Sequence, residues 1–215
     1  MCSLCFKNQA IALEELIRIR YNRFGLDMID QNKEKIFIRL ASKDDLSAIQ
    51  TLMKESMQVL GQGHYSTQQI QSCCQYVCVP DLRLIEDQTF FVVTTGPEKT
   101  IVGCGGWSFR KTLYAGPSAV PQKEDERLNP ERDFARIRAM FVSPFQSGKG
   151  IGSKILSASE QAARAYGFKK GILGATLSRL AFYQSKGWIS TRTEQTALPD
   201  GVVIDVVTME KELCL

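Results

Sequence analysis

The chain has 215 residues, of which 27 are basic and 23 acidic, and its formal net charge is +4. This length can bury a sizeable core, and one domain with an extension explains it more simply than two domains. The charges are interspersed along the chain, a balance that is compatible with an anionic cofactor and too mild to indicate nucleic acid as a partner. No apolar run approaches the length of a membrane span, so we expect no membrane partner.

The cysteine pattern predicts neither a disulfide framework nor a metal site. The seven cysteines are scattered: Cys2, Cys5, Cys73, Cys74, Cys78, Cys104 and Cys214. An odd number in a chain of this length favours a reducing cytoplasm. Cys2-x-x-Cys5 could hold a metal with the group at 73–78, but there is no second C-x-x-C and His64 is the only histidine. We therefore expect no metal.

The first third of the chain has mainly helical periodicity. Apolar residues in 8–24 form a helical stripe, which predicts a helical extension over residues 1–34. A strand over Ile36 to Leu40 follows, and Ser42 supplies a cap for a helix that runs to about Leu60. Ser66 can cap a second helix that ends before the proline at position 80.

The next segments predict a hairpin and a long loop. Thr89 to Thr95 and Thr100 to Trp107 are β-rich, and a Gly-Pro-Glu-Lys turn joins them. The stretch 110–133 is polar and contains three prolines. Loops of this length in compact domains are usually lids or disordered excursions.

The stretch from Ala135 to Gly152 organises the rest of the chain. Alternating residues predict a strand that Pro144 ends. Gly148, Gly150 and Gly152 follow, and a helical pattern begins at Ile151 and continues to Gly167. A glycine turn that opens a helix aims unpaired amide groups and the positive end of the helix dipole at one point, which suits a phosphate. Glycine turns that bind nothing are equally common. The spacing matches neither the P-loop nor the complete G-x-G-x-x-G fingerprint, which argues against a nucleotide triphosphatase or a Rossmann dehydrogenase.

The last segments of the chain alternate between strand and helix patterns. They predict a strand over Ile172 to Ala175, a helix from about Leu177 to Lys186 that Gly187 closes, and a final strand over Val202 to Met209. The fold class is α/β (α+β), with a mixed, largely antiparallel sheet.

Several segments together resemble the GNAT superfamily of acyl-CoA-dependent N-acetyltransferases. They occur in the family's order over nearly all of 35–215: Ile38-Arg39 with the capped helix, Ile101 to Trp107, Ala135 to Gly152, Ala175 to Leu177 with Phe182 to Trp188, and Val207 to Lys211. The resemblance implies a GNAT domain over 35–215 with a central sheet flanked by helices, and the extension 1–34 before it.

The resemblance also implies a coenzyme A site with acetyl-CoA as cosubstrate. The family's turn is Q/R-x-x-G-x-G/A, and Ser147 occupies its first position here, a departure that leaves the backbone amides unaffected. The pyrophosphate would lie on the amides of 148–153 and the pantetheine arm beside the strand. The implied cofactor-binding residues are Phe141, Val142, Ser147, Gly148, Lys149, Gly150, Ile151, Gly152 and Ser153.

Catalysis of acetyl transfer to an amine needs a neutral amine and a proton for the leaving sulfur. Tyr183 stands where the family's tyrosine protonates that sulfur, although it could be a packed helix aromatic. His64 has a suitable intrinsic pKa for a base and lies between the first two helices, but a lone loop histidine is often a surface residue. Other candidates for a relay through water are acidic residues near the loop: Glu124, Glu131 and Asp133. Arg136 and Arg138 could bind an acidic acceptor or pair with carboxylates across the sheet.

Two functions fit these expectations. The first is an enzyme that moves an acetyl group from acetyl-CoA to a primary amine of a small molecule or peptide. The second is an acyl-CoA-binding sensor or interaction protein that transfers nothing. Many members of the family are dimers, so a homodimer is compatible with the resemblance, whereas the acceptor depends on variable loops that fold similarity does not specify.

Overall fold

A computed structural model describes residues 36–111 and 126–213. The predicted helix over 8–24 and the centre of the predicted loop lie outside these ranges. Within them, seven strands form one sheet in the order β1-β2-β3-β4-β5-β7-β6. All neighbouring pairs are antiparallel except β4 and β5, which are parallel. This confirms the predicted mixed, largely antiparallel sheet.

The strands are β1 (Ile36–Leu40), β2 (Phe90–Thr95), β3 (Thr100–Ser108), β4 (Ala135–Val142), β5 (Lys170–Thr176), β6 (Ile189–Ala197) and β7 (Val203–Glu212). The described helices are α1 (Leu46–Leu60), α2 (Thr67–Tyr76), α3 (Leu82–Glu86), α4 (Ile151–Tyr166) and α5 (Leu180–Gln184). Short 3-10 turns lie at Lys43–Asp45, Pro144–Gln146 and Leu177–Arg179. No helix in the described ranges is both long and apolar enough to span a membrane.

Helices cover both faces of the sheet. All six residues of β2 are buried, and successive side chains of a strand point to opposite faces. Val92 belongs to the core beneath Ile49 of α1, whereas Val93 packs in a separate cluster with Ile151 and Ile155 of α4. The core is therefore divided into two layers by the sheet.

Helix α4 lies close to the backbone of β3 because β3 contains glycines. A Cβ atom at Gly103 would lie 2.5 Å from Ile151 Cγ2 and 2.9 Å from Ile155 Cδ1. The missing side chain therefore permits the close seating of the first turns of α4 on the sheet.

Strands β4 and β5 pair over only two positions, Ala135 with Gly171 and Arg136 with Ile172, and then separate. Beside this gap β4 contains a β-bulge, since two residues, Ala139 and Met140, oppose the single Gly105 of β3. Ala139 has a φ of 53°. The bulge bends β4 at the point where it leaves β5.

Two elements were not predicted. The short helix α3 has Asp81 as its N-cap, whose carboxylate accepts a hydrogen bond from the amide of Arg83. The edge strand β6 is almost wholly exposed, so its sequence lacks the apolar alternation that reveals a strand. The helix predicted from about Leu177 to Lys186 is instead a 3-10 turn followed by the five-residue α5.

Candidate active site

The gap between β4 and β5 opens into a cavity of about 540 Å³. Residues 137–141 of β4 form one wall, and Gly174 and Thr176 at the end of β5 lie opposite. Other walls come from α1 and from the connection between β6 and β7, through residues that include Met53, Met57, Leu60, Leu198 and Pro199. Beyond Arg136, the edge of β4 that faces the gap has no strand partner in the described sheet.

The glycine turn lies at the start of α4, as predicted. Gly148 and Gly150 have φ values of 81° and 79°, which favour glycine, and Gly150 is the N-cap. The amide of Lys154 donates to the carbonyl of Gly150 at 3.0 Å as the first hydrogen bond of the helical pattern. The amides of the three preceding residues therefore have no partner inside the helix. Together with the dipole of this sixteen-residue helix they form a suitable site for an anion.

The turn lies beside the sheet gap. A Cβ atom at Gly152 would lie 3.3 Å from the ring of Phe182 and 3.6 Å from Val142. Phe182 precedes Tyr183 on α5, so one helix connects the glycine turn to the cavity wall.

Tyr183 lines the cavity and is only 6% exposed. Its ring makes edge contacts with Phe182 and Trp188, with centroid distances of 5.1 and 6.3 Å. Burial raises the pKa of the Tyr183 phenol, and the nearby Arg179 guanidinium opposes this only in part. The hydroxyl therefore stays protonated at neutral pH and can act as a proton donor.

An ion pair occupies the wall opposite. Arg138, whose side chain is 5% exposed, donates to Asp81 at 2.9 Å. Burial alone would raise the pKa of Asp81, but the Arg138 and Arg83 guanidinium groups outweigh it and hold the pKa below its usual value. Arg138 thus pairs with a carboxylate at the start of α3 rather than with one across the sheet.

A family model described as an acetyltransferase (GNAT) domain matches residues 86–190, which include β2 to β5, the glycine turn and Tyr183. The chain belongs to the GNAT superfamily. No curated protein sequence matches this GNAT chain.

Solved structures share its fold. A GCN5-related N-acetyltransferase from Rhodopseudomonas palustris aligns with a TM-score of 0.58 at 15% identity, over 84% of this chain and 98% of that one. The PaiA N-acetyltransferase from Thermoplasma acidophilum, in complex with coenzyme A, aligns at 0.56 and 16% identity, over 83% and 99%. The yncA protein from Salmonella typhimurium, with its cofactor acetyl-CoA, aligns at 0.54 and 16% identity, over 83% and 94%. At these identities the likeness establishes the fold.

Within the GNAT chain, the predicted cofactor residues fall on adjoining elements. Phe141 lines the cavity and Val142 follows it at the end of β4. Ser147 to Gly150 are exposed on the turn, and Ile151 to Ser153 form the first turn of α4. Lys149 is exposed there. Their roles in binding stay predictions.

The predicted bases do not meet at the cavity. His64 is exposed in the turn between α1 and α2 and is not among the described lining residues. This position weighs against His64 as the base, a role that stays a prediction. Glu131 pairs with Lys169 at 2.9 Å and Asp133 accepts from the amide of Asn129 at 2.7 Å, both away from the lining. Glu124 lies outside the described residues.

Sequence reasoning missed two charged residues of the cavity, Asp81 and Arg179. Asp81 follows Pro80, which could have identified the cap of a short helix. Arg179 lies between the two resembling stretches Ala175 to Leu177 and Phe182 to Trp188, four residues before Tyr183. In the described ranges, no group of three or more histidine, cysteine, aspartate or glutamate residues could hold a metal ion.

Proposed function

We propose that this GNAT chain transfers an acetyl group from acetyl-CoA to a primary amine of a small molecule or peptide by direct attack. The observation that carries the proposal is the arrangement around the β4–β5 gap, which has an anion site at Gly148–Ser153 on one side and the protonated Tyr183 on the other. The structures of PaiA with coenzyme A and yncA with acetyl-CoA support the choice of cosubstrate.

The residues present fit coenzyme A. The free amides at the start of α4 would hold the pyrophosphate. The edge of β4 that faces the gap offers backbone groups at residues 137–142, to which an amide-containing arm can add as an extra strand would. Acetyl-CoA supplies the activated thioester carbonyl.

Tyr183 is placed for the proton transfer. As the acceptor nitrogen bonds to the acyl carbon and the carbon–sulfur bond breaks, the phenol donates its proton to the departing sulfur. The nitrogen loses its own proton to solvent, and the phenolate regains a proton from solvent. The described lining contains no histidine, and its one carboxylate, Asp81, is held ionised by Arg138. Among the described lining residues none is placed to take a proton from the acceptor, so the proposed attack is by an amine that is already neutral.

The test is steady-state release of thiol from acetyl-CoA with a panel of amines, combined with equilibrium binding of coenzyme A. We expect Tyr183→Phe to lower kcat by roughly 10²- to 10⁴-fold with little change in coenzyme A affinity, as for loss of a general acid. Gly150→Val should weaken coenzyme A binding because the left-handed backbone conformation disfavours valine.

Tyr166→Phe is the matched control, because this tyrosine lies on α4 against Phe109 and outside the cavity lining. The proposal fails if Tyr183→Phe and Gly150→Val leave turnover and coenzyme A affinity as in the wild type. Binding of coenzyme A without turnover of any amine would instead favour the sensor function.

A further inference from the structure

Arg179 is the cation of the cavity that the proposed reaction leaves unused. It lies in the 3-10 turn after β5, is half-buried and lines the cavity. Within the described ranges no carboxylate pairs with it, in contrast to Arg138. Burial lowers the pKa of the Arg179 guanidinium. A partly desolvated charge without a counter-ion is unfavourable, and an anionic ligand would relieve the cost.

The remaining charges select against a cationic acceptor. Among the described residues that line the cavity, Asp81 is the one acidic side chain, and Arg138 and Arg83 already neutralise it. A diamine or polyamine would therefore find no free carboxylate for its second charge among these residues. Within the part of the lining that the structure describes, the charge without a counter-ion is the positive charge of Arg179.

The rest of the cavity suits an apolar body. Met53, Met57 and Leu60 contribute three apolar side chains along one side of α1, and Leu198 and Pro199 contribute two from the β6–β7 connection. Aliphatic and thioether side chains bury aliphatic or aromatic groups without polar partners.

Building on the proposed function, we infer that the acceptor is a free amino acid with an apolar side chain, and that Arg179 binds its carboxylate. Arg179 is the N-cap of α5, which carries Tyr183, and both residues line the cavity. The Arg179 guanidinium is close enough to lower the pKa of the Tyr183 phenol against the effect of burial. Attack occurs beside Tyr183, so the amine and the anion of the acceptor must be close neighbours, as they are in an α-amino acid. The guanidinium can bind the carboxylate through two parallel hydrogen bonds.

The experiment compares each amino acid with its carboxamide, using L-methionine with L-methioninamide and L-phenylalanine with L-phenylalaninamide. The amine of the amide is less basic, so amine reactivity alone would favour the amide. We expect wild-type kcat/KM to favour the free acids by roughly 10- to 150-fold, the range for a hydrogen bond to a charged group. In Arg179→Gln the ratio should fall to near one while coenzyme A affinity stays constant, and Arg179→Lys should restore part of it.

Arg192→Gln removes the same charge from the exposed strand β6, outside the cavity, and should keep the wild-type ratio. The inference is overturned if the wild type acetylates acids and amides equally. It is also overturned if Arg179→Gln weakens coenzyme A binding and leaves the ratio unchanged, because Arg179 would then bind a phosphate of the cosubstrate.

A second readout separates this inference from the proposed function. If the wild type acetylates no amine, the proposed function fails, and binding of L-methionine and L-methioninamide to the coenzyme A-saturated protein decides the inference. Binding that needs both the carboxylate and Arg179 supports it. Equal binding of acid and amide, or no binding of either, overturns it.

Discussion

At the scale of single residues, hydrogen bonds set the charge state of a carboxyl group, as they do for Asp45, which lies outside the cavity. Its carboxylate accepts two hydrogen bonds from Arg39, at 2.7 and 2.8 Å, and one from the amide of Ser42 at 2.8 Å. The hydrogen bonds from Arg39 are the main reason why the pKa of Asp45 falls to about 2, against the opposing effect of burial. This carboxylate ties β1 to the turn that precedes α1.

Asp45→Asn should therefore destabilise the protein in a pH-dependent way. Because the folded-state pKa lies below the unfolded value, the stabilisation is complete above about pH 5 and is lost as pH falls toward 2. After a discount for solvent screening, we expect the free energy of unfolding to fall by about 1–2 kcal/mol at pH 7. At pH 3 the loss should be roughly half as large. Urea unfolding at both pH values measures it, with the exposed neighbour in Asp44→Asn as control. A pH-independent difference would contradict the assignment.

Some residues of the site could be recognised from the sequence and others could not. The glycine turn and the Ser42 N-cap belong to local patterns, so spacing along the chain indicated them, although Ser42 caps the 3-10 turn that leads into α1 rather than α1 itself. Tyr183 was indicated by the resemblance to the GNAT superfamily. The partner of Arg138 comes from the start of α3, 57 residues away, and pairing across such a distance is set by the tertiary fold. For the same reason Arg179 and its place in the cavity could not be recognised before the structure.

At the scale of elements, the seating of α4 on β3 fixes the position of the glycine turn. Gly103→Ala should push Ile151 away from the strand, since the new Cβ atom would lie 2.5 Å from Ile151 Cγ2. Overpacking of this kind costs roughly 1–3 kcal/mol. We expect a lower free energy of unfolding together with weaker coenzyme A binding, because Ile151 is the first residue of α4 and carries one of the free amides.

Gly96→Ala is the control that separates the loss of stability from the weakening of coenzyme A binding. Gly96 has a φ of 72° in the β2–β3 turn, and a Cβ atom there would contact nothing within 4 Å. The Gly96→Ala variant should lose stability through backbone strain and keep its coenzyme A affinity. Unfolding by urea and titration with coenzyme A measure the pair. Unchanged affinity in Gly103→Ala would show that the seating of α4 does not position the turn.

Elements with strong periodicity were predictable, and elements without it were not. The amphipathic α1 and α4 and the buried β2 and β4 lie close to their predicted bounds. Strand β6 is held by its pairing with β7 over nearly its whole length rather than by an apolar face. The bulge at Ala139 likewise depends on pairing with β3, which no local pattern of β4 specifies.

At the scale of the whole molecule, the sheet is continuous but weakly joined at its centre. Strands β1 to β4 and strands β5 to β7 are each extensively paired, and two residue pairs connect β4 to β5. A ligand in the gap contacts both groups of strands, so part of its binding energy holds them together. Coenzyme A should therefore act as a missing central partner for the sheet.

This arrangement predicts both the size and the location of stabilisation by coenzyme A. At 100 times its Kd a ligand that binds only the folded state adds about 2.7 kcal/mol. For a chain of this length that amounts to a rise in Tm of roughly 5–10 °C. Amide hydrogen exchange should slow at 137–142 and 148–153, where the free strand edge and the free amides lie, and stay fast along the outer edge of β6. Gly150→Val at the same coenzyme A concentration should show a smaller rise in Tm. Protection confined to the glycine turn, with none on β4, would mean that the ligand is held at the helix terminus alone and does not bridge the sheet.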